Sequence, residues 1–406
     1  MNMVFLTATF IIAHIFFNVK GLKRKKMKIC AIICEYNPFH NGHLYQINET
    51  KRLSGADAVL CLMSGNFVQR GEAAIMNKFL RAKHAVMGGA DVVLELPTIF
   101  ATSNAELFAK GAITILASIP SVTHLSFGVE NAEKEELLRT ASLLNNEPQN
   151  VSARIKELTT QGISFVKAKC EAWKPYLPEK LLASPNNILG LEYTRAILSK
   201  NANIEILPIK RIGSGYSDNE LAVNFSSATA IRNAIQKGIP LNNSLPSYVK
   251  NDLPNTIEAT LEALEKYTLL EKSATSIANT LDCTEGLENA LKKVAQENKP
   301  LVDTLTNARY TSARIRRIAL QNLLNIEESL IRESLQSTLY LRILSAKKAQ
   351  NELLNTLFES KLPLIVRATD GNMLNGTAKD VYNIDARAEK IYGLLYNNVI
   401  EKSIFI

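Results

Sequence analysis

The chain lacks the cysteine spacings that build disulfide frameworks and zinc sites. Among its 406 residues there are five cysteines, an odd number, and no two of them form a C-x-x-C pair. We therefore expect small buried thiols in a reducing cytosol, with no disulfide framework and no metal site. The five are Cys30, Cys34, Cys61, Cys170 and Cys283.

The first 26 residues lack acidic side chains, and this local absence explains most of the net charge. The formal charge is +8, and five of those positive charges precede Met27, which leaves +3 for the rest of the chain. Global charge is therefore a poor argument for nucleic-acid binding, and a local basic patch must carry that case. The composition, with 46% hydrophobic and 21% charged residues, is that of a globular protein with two or three domains.

The N-terminal segment has two interpretations. Residues 3–19 are mostly apolar, at the short limit for crossing a bilayer, and a basic cluster follows them. Because the charges come after the apolar stretch, it is not a normal secretory signal, and they would keep the rest of the chain cytoplasmic. Residues 1–26 are then either a weak anchor or a start-site artefact, and we favour a start at Met27. In both cases we expect a cytoplasmic protein that does not work in a membrane.

Apolar runs alternate with amphipathic stretches through the first half of the chain. Strands are predicted at Ile29–Cys34, 58–63, Val92–Leu96, 124–127 and 204–209, and helices near 43–53, Lys78–Met87 and 103–116. Continuous apolar strands with helical crossovers are typical of a parallel sheet covered on both faces. We therefore predict an α/β fold with a Rossmann-like parallel sheet and ligands at the carboxyl ends of its strands.

The most informative segment follows the first strand and reads Glu35-Tyr36-Asn37-Pro38-Phe39-His40-Asn41-Gly42-His43. Asn41 can cap the following helix, and Gly42 removes a side chain where a phosphate would approach the backbone. His40 and His43 are three residues apart, so both imidazoles can face one side of the first helical turn. Donors at a helix N-terminus suit attack on the α-phosphate of ATP. The alternative is a solvated turn that happens to hold two histidines.

Three further segments have a binding interpretation and a structural one. In the loop 64–72, Arg70 could hold a phosphate or a carboxylate, or be a solvated side chain. Asn186 and Asn187, at a predicted helix start, could contact adenine or ribose, although capping alone explains at least one of them. Arg211 precedes a Gly-Ser-Gly turn and suits a phosphate clamp or a solvated loop.

A second helix start reads Ser226-Ser227-Ala228-Thr229-Ala230-Ile231-Arg232. Taken alone it is a capped helix with hydroxyls at its N-terminus. Together with H-x-G-H, it resembles the paired signatures of the HIGH-motif nucleotidyltransferase superfamily, in which the second signature binds the β- and γ-phosphates of ATP. The resemblance implies this role for Ser226, Ser227, Thr229 and Arg232.

After Pro240 the pattern becomes helical and stays so over residues 250–360. We predict a nucleotidyltransferase-like catalytic domain over 27–240 and a mainly helical, C-terminal α-rich domain over 241–406. A small αβ unit, at 362–366 and 385–395, is expected to close the chain.

One helical segment of that second domain, residues 309–317, holds four arginines, a tyrosine and no acid. It suits an RNA-backbone and stacking surface, or a solvated helix face. The candidate RNA contacts are Arg309, Tyr310, Arg314, Arg316 and Arg317.

The combined motifs resemble one family closely, the bacterial tRNA(Met) cytidine acetate ligases of that superfamily, over residues 27–317 and more loosely beyond. Two departures are the first 26 residues, which have no counterpart, and Ala73, where a proline is expected. Besides H-x-G-H, the segments that carry the resemblance are Met63-Ser64-Gly65-Asn66-Phe67-Val68-Gln69-Arg70-Gly71-Glu72, Phe127-Gly128-Val129-Glu130-Asn131, Ser184-Pro185-Asn186-Asn187-Ile188-Leu189-Gly190 and Lys210-Arg211-Ile212-Gly213-Ser214-Gly215-Tyr216.

The resemblance implies an ATP-dependent ligase that activates acetate as acetyl-adenylate and acetylates N4 of the wobble cytidine of elongator tRNA(Met). Mg2+ is expected with the ATP, the helical domain would bind tRNA, and no stable protein partner is expected. His40 and His43 would be catalytic. The implied ATP-binding residues are Ile33, Cys34, Glu35, Tyr36, Asn37, Pro38, Phe39, His40, Asn41, Gly42, His43, Leu44, Tyr45, Gln46, Gly128, Asn186, Arg211 and Ile212.

Two other functions could use the same motifs. An adenylyltransferase that joins AMP to a small phosphorylated metabolite needs H-x-G-H but no helical half. A non-catalytic RNA-binding protein could keep the nucleotide fold as a relic, although intact His40, His43 and Arg232 speak against it.

Overall fold

The computed structural model of the chain describes residues 27–163, 165–178, 181, 184–212, 226–241, 243–254, 261–348, 351–396 and 402–406. The N-terminal segment 1–26 and residues 213–216 lie outside the described residues, as does the side chain of Cys170. The core is a mostly parallel sheet with helices on both faces, which confirms the predicted α/β class.

The strands form one large sheet and a small two-stranded hairpin. They are β1 (Ile29–Cys34), β2 (Ala58–Ser64), β3 (Phe67–Val68), β4 (Glu72–Ala73), β5 (Val92–Leu96), β6 (Val122–Val129), β7 (Glu205–Lys210), β8 (Leu341–Ala346), β9 (Leu364–Ile365) and β10 (Ile404–Phe405). Within the described ranges, the main sheet has the order β10-β8-β5-β2-β1-β6-β7, with β9 also on β8, and β3 pairs with β4. Strands β5, β2, β1, β6 and β7 run parallel. Their carboxyl ends therefore share one edge, where ligands of such sheets bind.

Helices cover both faces of this sheet. They are α1 (Asn41–Ser54), α2 (Lys78–Met87), α3 (Thr98–Ala101), α4 (Ala105–Ala117), α5 (Lys134–Asn145), α6 (Gln149–Thr160), α7 (Phe165–Trp173), α8 (Pro185–Ser199), α9 (Ala228–Gln236), α10 (Ser247–Lys250), α11 (Leu261–Glu271), α12 (Ala274–Ala278), α13 (Leu287–Gln296), α14 (Leu301–Leu305), α15 (Ser312–Leu324), α16 (Glu328–Ser334), α17 (Asn351–Phe358) and α18 (Gly376–Leu395), with a 3-10 helix at Ala368–Met373. In the part of the chain that the structure describes, every helix is too short or too polar to cross a bilayer.

Strand β1 is apolar throughout because both of its faces are covered. Ile29 and Ile33 pack into one core with α4 and α8, whereas Ile32 packs into the other with α1 and α2. Cys30 and Cys61 are buried free thiols, as expected from their apolar neighbours.

The structure differs from the predicted helical pattern at β8. This strand runs antiparallel to β5, and all six of its side chains are buried. Periodicity cannot separate a short, fully buried strand from a buried helix, which explains the difference. The domain boundary at residue 240 stays a prediction, and the segment 241–406 returns to the central sheet through β8. The expected closing unit contains β9 and α18.

A buried cluster of charges fastens α18 to the sheet. Lys78 Nζ lies 2.8 Å from Glu95 Oε1 and 3.1 Å from Glu389 Oε2. Arg342 reaches the same two carboxylates, at 3.3 Å from Glu95 and 3.0 Å from Glu389. Two cations matched to two carboxylates avoid an uncompensated charge in the interior. The C-terminal helix is thereby held against the strands that carry the ligand edge.

Replacing Lys78 by methionine should remove one cation and leave the carboxylate pair undercompensated. We expect the free energy of unfolding in urea to fall by about 3 kcal/mol or more. Lys83→Met is the matched control, because the ammonium of Lys83 is a third exposed and lies 3.4 Å from Asp252. The control should cost less than about 1 kcal/mol, and equal losses would contradict the role of the cluster.

Candidate active site

The carboxyl edge of the parallel strands opens into a cleft between β1, β6 and β7 and the first turns of α1, α8 and α9. Two predicted phosphate-binding segments, nearly 200 residues apart in the sequence, meet there. The predicted residues that line the cleft are Ile33, Cys34, Glu35, Tyr36, Asn37, His40, Gly42, His43, Tyr45, Gln46, Gly128, Asn186, Arg211, Ile212, Ser226, Ser227, Thr229 and Arg232.

Four predicted ATP-binding residues lie outside this lining and have packing roles. Pro38 follows a cis peptide bond. Phe39 is fully buried, and Leu44 packs on the same core. The Asn41 side chain donates a hydrogen bond to the main-chain carbonyl of Asn243. Direct contact of these four residues with ATP stays a prediction.

The N-cap of α1 is His40, not Asn41 as predicted. His40 Nδ1 accepts a hydrogen bond from the Gly42 N–H at 3.0 Å, and His43 Nδ1 accepts one from the His40 N–H at 3.2 Å. A Cβ atom at position 42 would lie 2.9 Å from Cε1 of His40. Gly42 therefore makes room for the histidine ring, and its predicted role beside a phosphate stays a prediction.

These two hydrogen bonds determine the form of both imidazoles. Because each Nδ1 accepts a bond, each neutral ring carries its proton on Nε2. Burial, with Arg211 and Arg232 nearby, lowers the pKa of His40 to about 3. Burial and the neighbouring His40 hold the pKa of His43 well below its usual value. The stacked rings, with centroids 3.6 Å apart, therefore present two neutral N–H donors at neutral pH.

Two arginines give the cleft its positive charge. Arg232 Nη1 donates to the Asn37 carbonyl at 2.9 Å, which ties α9 to the turn before α1. Arg211 Nε lies 3.9 Å from Glu130 Oε1. Ser227 caps α9 with its side chain, so the amide end of this helix also opens beside the cleft. The second signature is thus placed where an anionic phosphate would be stabilised.

Of the two adjacent asparagines, one is structural and one lines the cleft. Asn187 is fully buried, and its side chain accepts from the Glu130 N–H at 3.1 Å and donates to Asn131 at 2.7 Å. Asn186 lines the cleft and donates to Glu130 Oε1 at 2.6 Å. Ser184 caps α8. Glu130 therefore links Asn186 with Arg211, because both side chains lie close to its carboxylate.

Sequence reasoning missed an apolar part of the lining. Phe108 from α4 and Leu189 and Tyr193 from α8 line the cleft near the end of β1. The rings of Phe108 and Tyr193 are buried, with centroids 6.4 Å apart. Phe108, Leu189 and Tyr193 are spaced along their helices as ordinary core residues are. The sequence pattern therefore cannot show that they line a cleft.

The loop with Arg70 forms the β3–β4 hairpin and covers the end of β1. Arg70 lines the cleft. The Gln69 N–H donates to Glu35 Oε1 at 2.8 Å, and Gln69 Nε2 donates to the Ser103 carbonyl at 3.2 Å. The fully buried Arg81 supports the turn from beneath through main-chain carbonyls. These acceptors are in Glu35, Ser64, Gly65 and Met76.

Three arginines predicted to contact RNA have partners in other segments. Arg316 lies 3.2 Å from Glu72, and Arg317 lies 3.9 Å from Asp282. Arg314 Nε donates to the Asp282 carbonyl at 2.9 Å. Acidic partners for Arg316 and Arg317 come from other segments of the fold. The lack of acidic residues within 309–317 is therefore no argument for RNA binding. Contact of these three with RNA stays a prediction.

The other two candidates form a more open surface. The Arg309 side chain is 66% exposed, and its Nε lies 3.7 Å from Glu285. The Tyr310 hydroxyl donates to the Glu285 carbonyl at 2.9 Å, and the Arg314 guanidinium lies 5.2 Å from the centre of the Tyr310 ring. An arginine and a tyrosine in this arrangement remain suited to contact a nucleic acid.

The hairpin also touches the helical region at Gly71. This residue has φ +75°, and a Cβ atom there would lie 2.5 Å from the Arg317 amide nitrogen and 2.6 Å from the Arg316 carbonyl carbon. Only glycine accommodates both this backbone conformation and this approach. The cleft and α15 are therefore joined by a direct backbone contact.

Comparison with known proteins gives a family match over nearly the whole described chain. The family model described as HIGH Nucleotidyl Transferase matches residues 27–404. A tRNA(Met) cytidine acetate ligase of Thermoanaerobacter sp. (strain X514) is 36% identical over 388 residues, which cover 92% of this chain and 96% of that protein. The enzyme of the same name from Thermosipho melanesiensis is 38% identical over 84% of each chain.

Two solved structures are also similar. The crystal structure of Thermotoga maritima TmcAL in its apo form superposes with a TM-score of 0.84 at 30% identity, covering 94% of this chain and all of that one. The form bound with alpha-thio ATP has a TM-score of 0.82 at the same identity and coverage.

The depressed histidine pKa values predict how stability depends on pH. A histidine in the unfolded chain binds a proton below about pH 6.5, whereas folded His40 does not until about pH 3. The unfolded state thus binds more protons in this window, and stability falls as pH falls through it. His40→Asn keeps a capping side chain and should reduce the slope by about 1.4 kcal/mol per pH unit between pH 6 and 4. Urea unfolding of both proteins measures this, and parallel pH curves would contradict it.

Gly71→Ala should separate the hairpin from α15. Backbone strain and the close approach together should lower the free energy of unfolding by about 1–3 kcal/mol. Gly55→Ala is the matched control, because Gly55 has φ +57° with no atom within 4 Å of the added Cβ. Urea unfolding should show a larger loss for Gly71→Ala than for the control, since the control carries only the strain.

Proposed function

This chain belongs to the tRNA(Met) cytidine acetate ligase family of HIGH nucleotidyl transferases, and we infer that it performs that family's reaction. It is an ATP-dependent ligase. In the first step a carboxylate oxygen of acetate attacks the α-phosphate of ATP, which gives acetyl-adenylate and pyrophosphate. In the second step the exocyclic N4 of the wobble cytidine of elongator tRNA(Met) takes the acetyl group, and AMP leaves.

One observation carries the first step: two neutral imidazoles with protons on Nε2 lie in the same cleft as two arginines. We assign His40 and His43 to the α-phosphate, where negative charge grows in the transition state. Neutral donors in a buried site need no reorganisation when this charge appears. Arg211 and Arg232 would neutralise the departing pyrophosphate, together with the amide end of α9.

The nucleoside is assigned to the β6 side of the cleft. A Cβ atom at Gly128 would lie 3.3 Å from Cγ of Arg211, so this glycine lets the arginine lie close to the strand end. Asn186 is held by Glu130 and lines the same side. Ile212, half-exposed beside Arg211, would cover a base.

Mg2+ is proposed to enter with ATP. In the described residues, no group of three or more His, Cys, Asp or Glu side chains is placed to hold a metal ion. The ion retains waters readily and binds through substrate phosphates, so a dedicated protein cage is not needed.

The helical region is proposed to deliver the tRNA. Its helix α15 contacts the hairpin over the cleft, and the surface around Arg309 and Tyr310 is its open aromatic and basic part. Cytidine N4 is a poor nucleophile, so positioning must supply much of the rate, and an unstacked anticodon base suits this. A tRNA substrate also implies a cytoplasmic location.

The two alternative functions fit less well. The Thermoanaerobacter relative matches 92% of this chain and so includes the helical region, which an adenylyltransferase for small metabolites does not need. A non-catalytic relic would not need both tautomer-fixed imidazoles and both arginines in one cleft.

The test is to incubate the protein with ATP, labelled acetate and bulk tRNA, and to look for labelled N4-acetylcytidine after digestion. His40→Asn should lower acetate-dependent ATP–pyrophosphate exchange by about 100-fold or more, the loss typical of one transition-state donor. His124→Asn is the matched control, because His124 lies on β6 outside the lining. Exchange that survives in His40→Asn would overturn the phosphoryl role, and exchange triggered by a phosphorylated metabolite instead of acetate would favour the alternative enzyme.

A further inference from the structure

We propose that Glu35 is the general base of the second step, the group that takes the proton from N4 of the cytidine as the acetyl group is transferred. The inference rests on the proposed function and adds a catalytic residue to it. The motif resemblance places Glu35 in the ATP site. Its position and hydrogen bonds favour a role in acyl transfer instead.

Glu35 lines the same cleft as the two histidines but carries the wrong charge for a phosphate ligand. It is the first residue after β1, and the next residue, Tyr36, has its ring 4.7 Å from the ring of His43, centroid to centroid. A carboxylate in this cleft repels a triphosphate. It suits a step in which a proton, and not a phosphate, must be bound.

The carboxylate is held by one oxygen only. Oε1 accepts the Gln69 N–H at 2.8 Å, and this is its one side-chain hydrogen bond among the described residues. No cation of the described residues lies within ion-pair distance of it. The buried Arg81 donates to main-chain carbonyls, including that of Glu35 itself. Glu35 is half-buried, and its Oε2 accepts no hydrogen bond from the described residues, so this oxygen is open to a ligand in the cleft.

The surroundings of Glu35 raise its pKa, which suits a carboxylate that must accept a proton. Burial raises the pKa of Glu35, and the nearby Glu72 adds to this, whereas the Gln69 N–H and the charges of Arg232 and Arg81 oppose it. Tyr193 and Cys34 also lie near the carboxylate, and burial keeps the thiol and the phenol protonated. A carboxylate with a raised pKa is a better proton acceptor than an ordinary one.

Glu35 is also linked to the segment from which the tRNA is expected. Its hydrogen-bond partner Gln69 belongs to the β3–β4 hairpin, and the same hairpin meets α15 at Gly71. The apolar residues Phe108 and Tyr193 line the same cleft and suit the methyl group of acetyl-adenylate.

The step balances without any further reagent. The N4 lone pair forms a C–N bond with the acetyl carbonyl carbon, and the bond between that carbon and the phosphate oxygen breaks. AMP leaves with the electron pair of that bond. The proton lost from N4 is taken by the Glu35 carboxylate and is later released to water.

The test separates the two steps in the full-length protein. Glu35→Gln keeps an oxygen for the Gln69 N–H but cannot accept a proton. Removing the negative charge of this cleft residue lessens its repulsion of the triphosphate, so acetate-dependent ATP–pyrophosphate exchange should not fall. Formation of N4-acetylcytidine in a single turnover should fall about 100-fold or more, the usual contribution of a general base. Glu49→Gln, on the exposed side of α1 where Glu49 pairs with Arg52, is the matched control for both assays.

The pH dependence gives a second readout. In the wild type the transfer rate should rise with pH as Glu35 loses its proton, and this limb should be absent in Glu35→Gln. Glu35→Asp, which keeps a carboxylate, should retain the limb at a lower rate. Equal loss of exchange and transfer, or full transfer in Glu35→Gln, would overturn the inference. Absence of acetate-dependent exchange in the wild type would overturn the proposed function itself, and the inference with it.

Discussion

The site depends on two hydrogen bonds within one helical turn. His40 and His43 both use Nδ1 to accept main-chain N–H groups, so the side chains that cap this helix are also the rings proposed for catalysis. The same bonds select the tautomer, while burial and the neighbouring arginines keep both rings uncharged. The hydrogen bonds that cap the helix therefore also fix the protonation of the two rings. Gly42, between the two histidines, is needed because the His40 ring occupies the space that a Cβ atom would fill.

The rest of the chain stabilises this turn from several sides. Arg81 lies beneath it and donates to the carbonyls around it, and Arg232 ties it to α9. The charge cluster around Lys78 and Glu389 holds the C-terminal helix against the same strands. Segments that are hundreds of residues apart thus converge on one sheet edge. A catalytic group needs such support because small displacements are costly to the rate.

The cleft brings together groups suited to two successive reactions. Its arginines and the amide ends of its helices favour phosphate. Its apolar rings and the Glu35 carboxylate suit an acyl group and an amine. The β3–β4 hairpin contributes to the cleft lining and touches α15 through Gly71, so the region proposed to hold the tRNA is physically continuous with the cleft.

Much of this could be predicted from local sequence. The apolar runs of β1, β2 and β5, and the two signatures at α1 and α9, are local patterns, and short-range geometry determines them. The buried strand β8 was missed because periodicity is ambiguous in a short apolar run. The acidic partners of Arg316 and Arg317 come from distant segments, so the sequence alone could not show that these arginines are paired.

The sequence by itself determined the fold class, the family and the two turns proposed to bind phosphate, because these depend on residues that are close together along the chain. Only the tertiary structure decided which groups are charged, capped or exposed. It showed that His40 is the cap, that Asn187 is structural while Asn186 lines the cleft, and that Phe108 and Tyr193 belong to the cleft wall. Burial and hydrogen-bond partners depend on contacts between distant segments, and no local pattern contains them.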